Sequence, residues 1–217
     1  MAKKYKTILF DLDGTLTDPF EGISKSAKYS LSKFNILEED EERLRKMIGP
    51  PFLDSLRKYY NFSDEDSKAA ITHFREYFNK KGIFENKIYE GIADLLAELK
   101  RAGKTVKLAS LKPEDQAKQI LEMFSIHEHF DAICGSVING PIADKPSIVR
   151  KALDGIKQEE RELTVMVGDR EFDMHGAIAN SIDSIGVLYG FGSYEELTTA
   201  RANYIVKDIE ELKNLLL

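Results

Sequence analysis

The sequence predicts an α/β fold, a doubly wound parallel sheet, with an all-α domain inserted into it. In residues 89–217, short apolar runs of strand length alternate with amphipathic segments of helical length. Residues 20–77 instead show helical periodicity without a convincing strand pattern. Strands that alternate with helices form βαβ units, whose parallel sheet is covered by helices on both faces. A chain of 217 residues suffices for one core domain and a smaller inserted domain.

The core domain is predicted to begin with a strand at residues 7–10, where Ile8, Leu9 and Phe10 form a buried apolar run. The glycine of Ala102-Gly103 ends the helix before the second strand, and Pro113 opens the helix after it. Further strands are predicted at residues 105–110, 130–134, 163–167, 184–188 and 203–206, and helices at 91–101, 113–124, 146–155, 171–180 and 209–216.

The inserted all-α domain is predicted to comprise residues 16–84, so that residues 1–15 and 85–217 form the core domain. The acidic run from Glu38 to Glu42 is interpreted as a solvated helix start that favours the helix dipole. Helices are expected in the inserted domain at residues 23–34, 44–48, 52–59 and 69–78.

Composition excludes several classes of protein. The net charge of −6 and the pI of about 5.4 provide no general attraction to nucleic acid polymers or anionic membranes. The single cysteine, Cys134, excludes an internal disulfide and fits a reducing compartment. The segment from Met1 to Lys6 is basic, but no apolar stretch of signal-peptide or membrane-span length follows it. We therefore expect a cytoplasmic protein without membrane or nucleic acid partners.

Acidic and basic side chains follow several strands of the predicted sheet. Ligands of parallel sheets bind beyond the carboxyl ends of the strands, so these side chains are expected to converge. Clustered carboxylates repel one another, and an oxygen-only ligand set favours Mg²⁺, which commonly meets substrate phosphate. The converging residues are Asp11, Asp13, Ser110, Lys145, Asp169 and Asp173. Together they predict a phosphoryl-transfer site.

Four motifs in chain order resemble those of the haloacid dehalogenase superfamily of phosphohydrolases. They are Asp11-Leu12-Asp13-Gly14-Thr15, Ser110 at a strand end, Lys145 at a helix start, and Gly168-Asp169 with Asp173. The resemblance covers essentially the whole chain. It implies a Rossmann-like core of that superfamily, and it identifies the helical insertion with the small cap of phosphoglycolate phosphatase and 5'-nucleotidase relatives.

The resemblance also implies a role for each motif residue. Asp11 is expected to be the nucleophile that forms an aspartyl-phosphate, and Asp13 the acid and base. Mg²⁺ is expected to bind Asp11, the main-chain carbonyl of Asp13, and Asp169, with Asp173 in support. Phosphate is expected to contact Gly14, Thr15, Ser110 and Lys145, and the Thr15 hydroxyl is also expected to orient the first motif.

The expected activity is Mg²⁺-dependent hydrolysis of a small phosphate monoester, either phosphoglycolate-like or a nucleoside 5'-monophosphate. A sugar-phosphate mutase, a pyrophosphatase and a non-catalytic binding or regulatory relative remain alternatives. Some mutases of the superfamily carry an arginine where this chain has Phe52, which favours a hydrolase. The partner is expected to be a small phosphorylated metabolite, and the protein a monomer or a homodimer.

Weaker candidates have two interpretations each. Lys112 either contacts phosphate or is solvated, and the Gly49-Pro50-Pro51 turn either lines the substrate pocket or only starts a helix. The segment from Gly190 to Ser193 looks like a phosphate loop, but Ser193 and Glu196 favour a turn followed by a capping box. Aromatic residues of the inserted domain either stack on a nucleobase or belong to its core; they are Phe20, Phe34, Phe52, Tyr59 and Tyr60.

Overall fold

The computed structural model describes residues 5–138, 140 and 143–217. Met1 to Lys4 of the basic N-terminal segment lie outside the described residues. The chain divides into two compact units, of which one comprises Met1–Thr17 with Ile88–Leu217 and the other Asp18–Lys87. The first is called the sheet unit below and the second the helical unit.

The strands are β1 Thr7–Phe10, β2 Thr17–Asp18, β3 Lys87–Ile88, β4 Thr105–Pro113, β5 Ala132–Ser136, β6 Thr164–Gly168, β7 Asp183–Val187 and β8 Tyr204–Val206. The helices are α1 Phe20–Ser32, α2 Glu41–Lys46, α3 Phe52–Tyr60, α4 Asp64–Phe78, α5 Ile92–Arg101, α6 Glu114–Met123, α7 Lys145–Ala152, α8 Glu171–Ala179, α9 Tyr194–Thr199 and α10 Ile209–Leu216. Short 3-10 helices occur at Gly82–Phe84, His127–His129 and Gln158–Leu163.

The sheet unit contains a six-stranded sheet in the order β5-β4-β1-β6-β7-β8. Its neighbouring strands pair in parallel. The strand order runs outward in both directions from β1, which makes the sheet doubly wound and confirms the predicted fold class. Such an order leaves the carboxyl end of β1 between those of β4 and β6, where the ligand site of this topology is expected.

The core of the sheet unit lies on both faces of the central strands. Ile8, Leu9 and Phe10 of β1 are fully buried. Leu9 belongs to a cluster with Val149 of α7 and Ala177 of α8, so these helices cover one face. Strands buried on both faces consist of continuous apolar residues, which is why β1 and β6 could be located in the sequence.

The elements around β4 differ from the predicted ones. The strand continues to Pro113, with a register shift between Ala109 and Pro113, so Pro113 caps α6 instead of beginning it.

The start of α7 lies at Lys145, which is the first residue of this helix. The Asp144 carboxylate caps the helix by accepting a hydrogen bond from the Ser147 N–H.

The helical unit is built from α1 to α4. Leu31, Leu56 and Ala70 form one buried cluster, against which Phe34 and Tyr60 pack. Ala27, Leu44 and Met47 form another, which includes Phe20, Phe52, Tyr59 and Tyr60 at its edge. The aromatic residues considered for base stacking therefore pack against the core of this unit and are partly buried. Pro51 is the N-cap of α3, as expected for a proline pair that starts a helix.

Glu38 corrects the interpretation of the acidic run. Its side chain is only 4% exposed. The carboxylate accepts hydrogen bonds from the Tyr60 hydroxyl, from Arg43 Nη1 and from the Asp40 N–H. The run is therefore not uniformly solvated, because its first acid anchors α2 to α3.

None of the helices within the described residues is long and apolar enough to cross a membrane.

Candidate active site

The strand ends of the sheet unit bring the predicted acids together. Asp11 directly follows β1, and its N–H donates to the carbonyl oxygen of Val167 on β6 at 2.9 Å. Asp169 follows β6, and Asp173 lies in the first turn of α8. All three carboxylates are buried and offer oxygen atoms within 4.8 Å of one another. Parallel strands thus supply two of these acids and a helix start the third.

Lys145 lies among these carboxylates and is buried. Its Nζ is 2.9 Å from Asp11 Oδ1 and 2.7 Å from Asp173 Oδ1, and it donates a hydrogen bond to the Ala109 carbonyl at 2.9 Å. Burial lowers the pKa of a lysine, but the charges of Asp11 and Asp173 outweigh it and hold the pKa of Lys145 above its ordinary value. The ammonium group therefore stays charged.

Asp169 is held by two surrounding segments, the first motif and the segment around Phe191. Its Oδ2 accepts from the Phe191 N–H at 2.8 Å, and its Oδ1 accepts from the Thr15 hydroxyl at 3.3 Å. Gly14, with φ +82°, lies against the carboxylate so closely that a Cβ there would collide with Asp169 Oδ2. Thr15 and Gly14 of the first motif thus hold Asp169, the acid of the last motif, in position.

The charge of the cluster fits a divalent cation. Three carboxylates surround one ammonium group, so the cluster carries excess negative charge when the three acids are ionised, even though Lys145 pairs with Asp11 and Asp173. Burial, followed by the charges of Asp173 and Asp11, raises the pKa of Asp169 well above its ordinary range. Asp11, Asp169 and Asp173 could therefore hold a metal ion.

The Asp13 carboxylate is not one of the three clustered acids and pairs with Lys112. The distance from Asp13 Oδ2 to Lys112 Nζ is 2.8 Å, and the Lys112 side chain is only 6% exposed. Burial raises the pKa of Asp13 and outweighs the opposing charge of Lys112. Of the two interpretations of Lys112, the solvated one is wrong.

Ser110 and Gly14 make contacts within the site that do not by themselves indicate phosphate binding. Ser110 is buried near the end of β4, and its hydroxyl accepts a hydrogen bond from the Lys112 N–H at 3.3 Å. Gly14 packs against Asp169. Their binding of phosphate, and that of Thr15 and Lys145, stays a prediction.

The segment around Gly190 contributes to the site beyond the turn that its sequence predicts. A Cβ on Gly190 would collide with the carbonyl oxygen of Gly14 and with Asp169, so this glycine permits the close approach that brings the Phe191 N–H to Asp169. The signal was the repeated glycine of Gly190-Phe191-Gly192. In the structure, this segment holds the Asp169 carboxylate.

Glu196 corrects the predicted capping box. Ser193 Oγ does cap α9 by accepting from the Glu196 N–H at 3.1 Å. The Glu196 carboxylate, however, accepts from Arg170 Nε at 2.7 Å and from the Glu171 N–H at 2.9 Å. It therefore links α9 to the start of α8, beside Asp169.

A doubly wound sheet with clustered acids, a lysine and a serine at its strand ends is the arrangement of an enzyme that acts on phosphate groups. The family model described as haloacid dehalogenase-like hydrolase matches residues 8–187. The chain belongs to this family, and the resemblance drawn from the four motifs is confirmed.

Three proteins are similar to this chain over almost all of its length. A 5'-nucleotidase of Pseudomonas aeruginosa is 40% identical, with 99% of this chain and 97% of the relative covered. The crystal structure of a predicted phosphatase from Clostridium acetobutylicum is 50% identical, with a TM-score of 0.92 and 97% of each chain covered. The tyrosine-protein kinase PtkA of Mycobacterium tuberculosis is 32% identical, with 96% of this chain and 72% of the relative covered. Within its family, this chain is an enzyme of the phosphatase type.

Proposed function

We propose that this protein is a Mg²⁺-dependent phosphatase that hydrolyses a small phosphate monoester through an aspartyl-phosphate on Asp11. The observation that carries the proposal is the position of the Asp11 carboxylate. It is buried at a strand end, 2.9 Å from Lys145 Nζ and within 4.8 Å of the carboxylate oxygens of Asp169 and Asp173. A nucleophile in this environment is adjacent to the groups that neutralise a phosphoryl group.

In the first step, an oxygen of Asp11 attacks phosphorus, and the bond from phosphorus to the ester oxygen breaks. Asp13 transfers a proton to the departing oxygen, so that the alcohol leaves neutral. The raised pKa of Asp13 supports this assignment, because burial favours the protonated acid that this step needs. The products of the step are an alcohol and a phosphorylated Asp11.

In the second step, water attacks the phosphorus of the aspartyl-phosphate, and Asp13, now ionised, accepts the proton of the water. The bond from phosphorus to the Asp11 oxygen breaks, which releases inorganic phosphate and restores the carboxylate. Asp13 ends the cycle protonated, so it serves first as acid and then as base.

Mg²⁺ would be held by Asp11, Asp169 and the main-chain carbonyl of Asp13, with Asp173 in support. When bound, it neutralises the charge on the phosphoryl oxygens. Lys145 and Ser110 would bind further phosphoryl oxygens, and removal of one such donor typically costs about 10²–10³ in rate. Gly14 and Thr15 would contribute at the edge of the phosphate site.

The inserted all-α domain, assigned to residues 16–84 from the sequence, is proposed to act as the cap that selects the substrate. Phe52, where some mutases carry an arginine, supports hydrolysis over transfer between two positions of a sugar. Of the two substrate classes, a nucleoside 5'-monophosphate is favoured over a phosphoglycolate-like ester, because a relative named 5'-nucleotidase is 40% identical across almost the whole chain.

The test is release of inorganic phosphate from a panel of AMP, GMP, phosphoglycolate, a sugar phosphate and pyrophosphate, with and without Mg²⁺. We expect turnover with Mg²⁺, none with EDTA, and none for Asp11→Asn. The highest kcat/KM is expected for a nucleoside monophosphate. Absence of turnover on the whole panel would favour a binding or regulatory protein, and a preference for pyrophosphate or for phosphoryl transfer between sugar positions would replace the proposed activity.

A further inference from the structure

We infer that Lys112 is a positioning residue that holds Asp13 for proton transfer to the leaving group. The inference rests on the proposed function and adds a residue that the four motifs do not contain. The feature that points to it is an ion pair between Lys112 Nζ and Asp13 Oδ2 at 2.8 Å.

The pair is shielded from solvent. The Lys112 side chain is 6% exposed and that of Asp13 is 16% exposed. Lysine is almost never buried to this degree unless it is paired, because an unpaired buried ammonium costs too much desolvation free energy. The chain therefore keeps a charged group beside Asp13 at a position where an apolar residue would bury more easily.

The two oxygens of Asp13 have different surroundings. Oδ2 is taken by Lys112, whereas Oδ1 is buried and lacks a hydrogen-bond partner within the described part of the chain. Because the Lys112 ammonium group occupies Oδ2, Oδ1 is the oxygen of Asp13 that remains to exchange a proton with the leaving group. Lys112 thus determines which oxygen of Asp13 acts as the donor.

The main chain ties the same residue to the phosphate site. The Lys112 N–H donates a hydrogen bond to Ser110 Oγ at 3.3 Å. Lys112 and Ser110 lie on one strand, and Asp13 follows β1, the neighbour of β4 in the sheet. The side chain and main chain of Lys112 therefore connect the proposed acid to the proposed phosphate-binding hydroxyl.

A leaving-group comparison separates this role from phosphate binding. A 4-nitrophenolate leaves readily as an anion, whereas phenolate, which has nearly the same shape, leaves less readily and depends more on protonation. Loss of Lys112 should therefore harm phenyl phosphate hydrolysis more than 4-nitrophenyl phosphate hydrolysis. The parameter to compare is kcat/KM, because it reports only the steps up to departure of the leaving group and not hydrolysis of the intermediate.

The experiment measures kcat/KM for both esters at saturating Mg²⁺ with wild type, Lys112→Met, Lys112→Arg and Asp13→Asn. For Lys112→Met we expect a loss of roughly 10²-fold on phenyl phosphate and less than about threefold on 4-nitrophenyl phosphate. Lys112→Arg should recover most of the lost rate. In the Asp13→Asn background, Lys112→Met should cause no additional loss, since the residue acts through Asp13.

Lys213→Met is the matched control, because Lys213 also forms an ion pair, with Glu98 at 2.6 Å, on other elements of the sheet unit. It should leave both rates unchanged. Equal losses on the two esters, or a further loss in the Asp13→Asn background, would overturn the inference and indicate direct phosphate contact or a structural role. An absence of loss on both esters would overturn it as well. Failure of the wild type on both esters and on the substrate panel would instead remove the proposed function, and the inference with it.

Discussion

Gly14 is required for its backbone conformation and for the space that it leaves beside Asp169. Its φ of +82° is rare for residues with a side chain, and a Cβ would collide with the Asp169 carboxylate. The first requirement concerns only the backbone, whereas the second concerns the candidate metal site. Substitutions at two glycines can separate them.

Gly14→Ala is expected to weaken Mg²⁺ binding by about 10- to 100-fold, the usual range when a group that orients a metal ligand is altered. Titration calorimetry with Mg²⁺ measures this directly. Gly103→Ala is the control, since Gly103 also has a positive φ, of +73°, but a Cβ there would meet nothing within 4 Å. Equal Mg²⁺ affinity in the two variants would show that contact with Asp169 is unimportant.

The acids and the lysine of the site could be predicted from sequence, because each is placed by a local pattern. Asp11 and Asp169 directly follow apolar strands, and Lys145 precedes the proline of a helix start. The partner of Lys112 could not be predicted. Its contact with Asp13 joins two strands far apart in the chain, and nothing near Lys112 in the sequence indicates which acid it meets.

At the scale of elements, the Glu38 carboxylate joins α2 to α3. Burial alone would raise the pKa of Glu38, but hydrogen bonds from Tyr60, the Asp40 N–H and Arg43 outweigh burial and lower it below its ordinary value. A lowered pKa stabilises the folded state at pH values above the ordinary pKa. The contribution is lost as the pH falls through the folded-state pKa.

Glu38→Gln should therefore lower the free energy of unfolding by about 1.5–3 kcal/mol at neutral pH, the range for hydrogen bonds to a charged group. The difference from wild type should shrink below a pH of about 4.5 as Glu38 is protonated. Urea denaturation across this pH range measures it.

Glu39→Gln is the matched control for this substitution, because Glu39 pairs with Lys28 in an exposed position. Its effect should stay below about 0.5 kcal/mol. A Glu38→Gln effect that does not change with pH would mean that packing, and not charge, carries the contribution.

Element boundaries were the least predictable part of the fold. The continuation of β4 past Ser110 depends on pairing of Pro113 with Ser136 on β5, across a register shift. The two-residue strands β2 and β3 are too short for any periodicity. The end of β4 and the strands β2 and β3 depend on pairing with a neighbouring strand and not on the conformational preference of their own residues. The long amphipathic helices α1 and α4, in contrast, could be recognised from their own residues.

At the scale of the whole molecule, the acid cluster is expected to couple cation binding to folding. Asp11, Asp169 and Asp173 repel one another in the folded chain, and a bound cation removes this repulsion. Mg²⁺ at about 100 times its Kd should stabilise the fold by about 2.7 kcal/mol and raise Tm by about 5–10 °C. A thermal melt followed by circular dichroism, with Mg²⁺ and with EDTA, measures the shift.

Asp169→Asn gives the complementary result. Without Mg²⁺ it should melt at a higher temperature than wild type, because one of the repelling charges is gone. Its Tm should no longer respond to Mg²⁺. An equal Mg²⁺ response in both proteins would place the cation elsewhere.

The central claim, that Asp11 becomes phosphorylated during turnover, can be tested by chemical trapping. Enzyme, Mg²⁺ and the best substrate are mixed and quenched with borohydride, which reduces an acyl phosphate to an alcohol, and the peptides are analysed by mass spectrometry. The prediction is conversion of Asp11 to homoserine, absent without substrate and absent in Asp11→Asn. Turnover with Asp11 unmodified and another residue trapped, or continued turnover by Asp11→Asn, would contradict it.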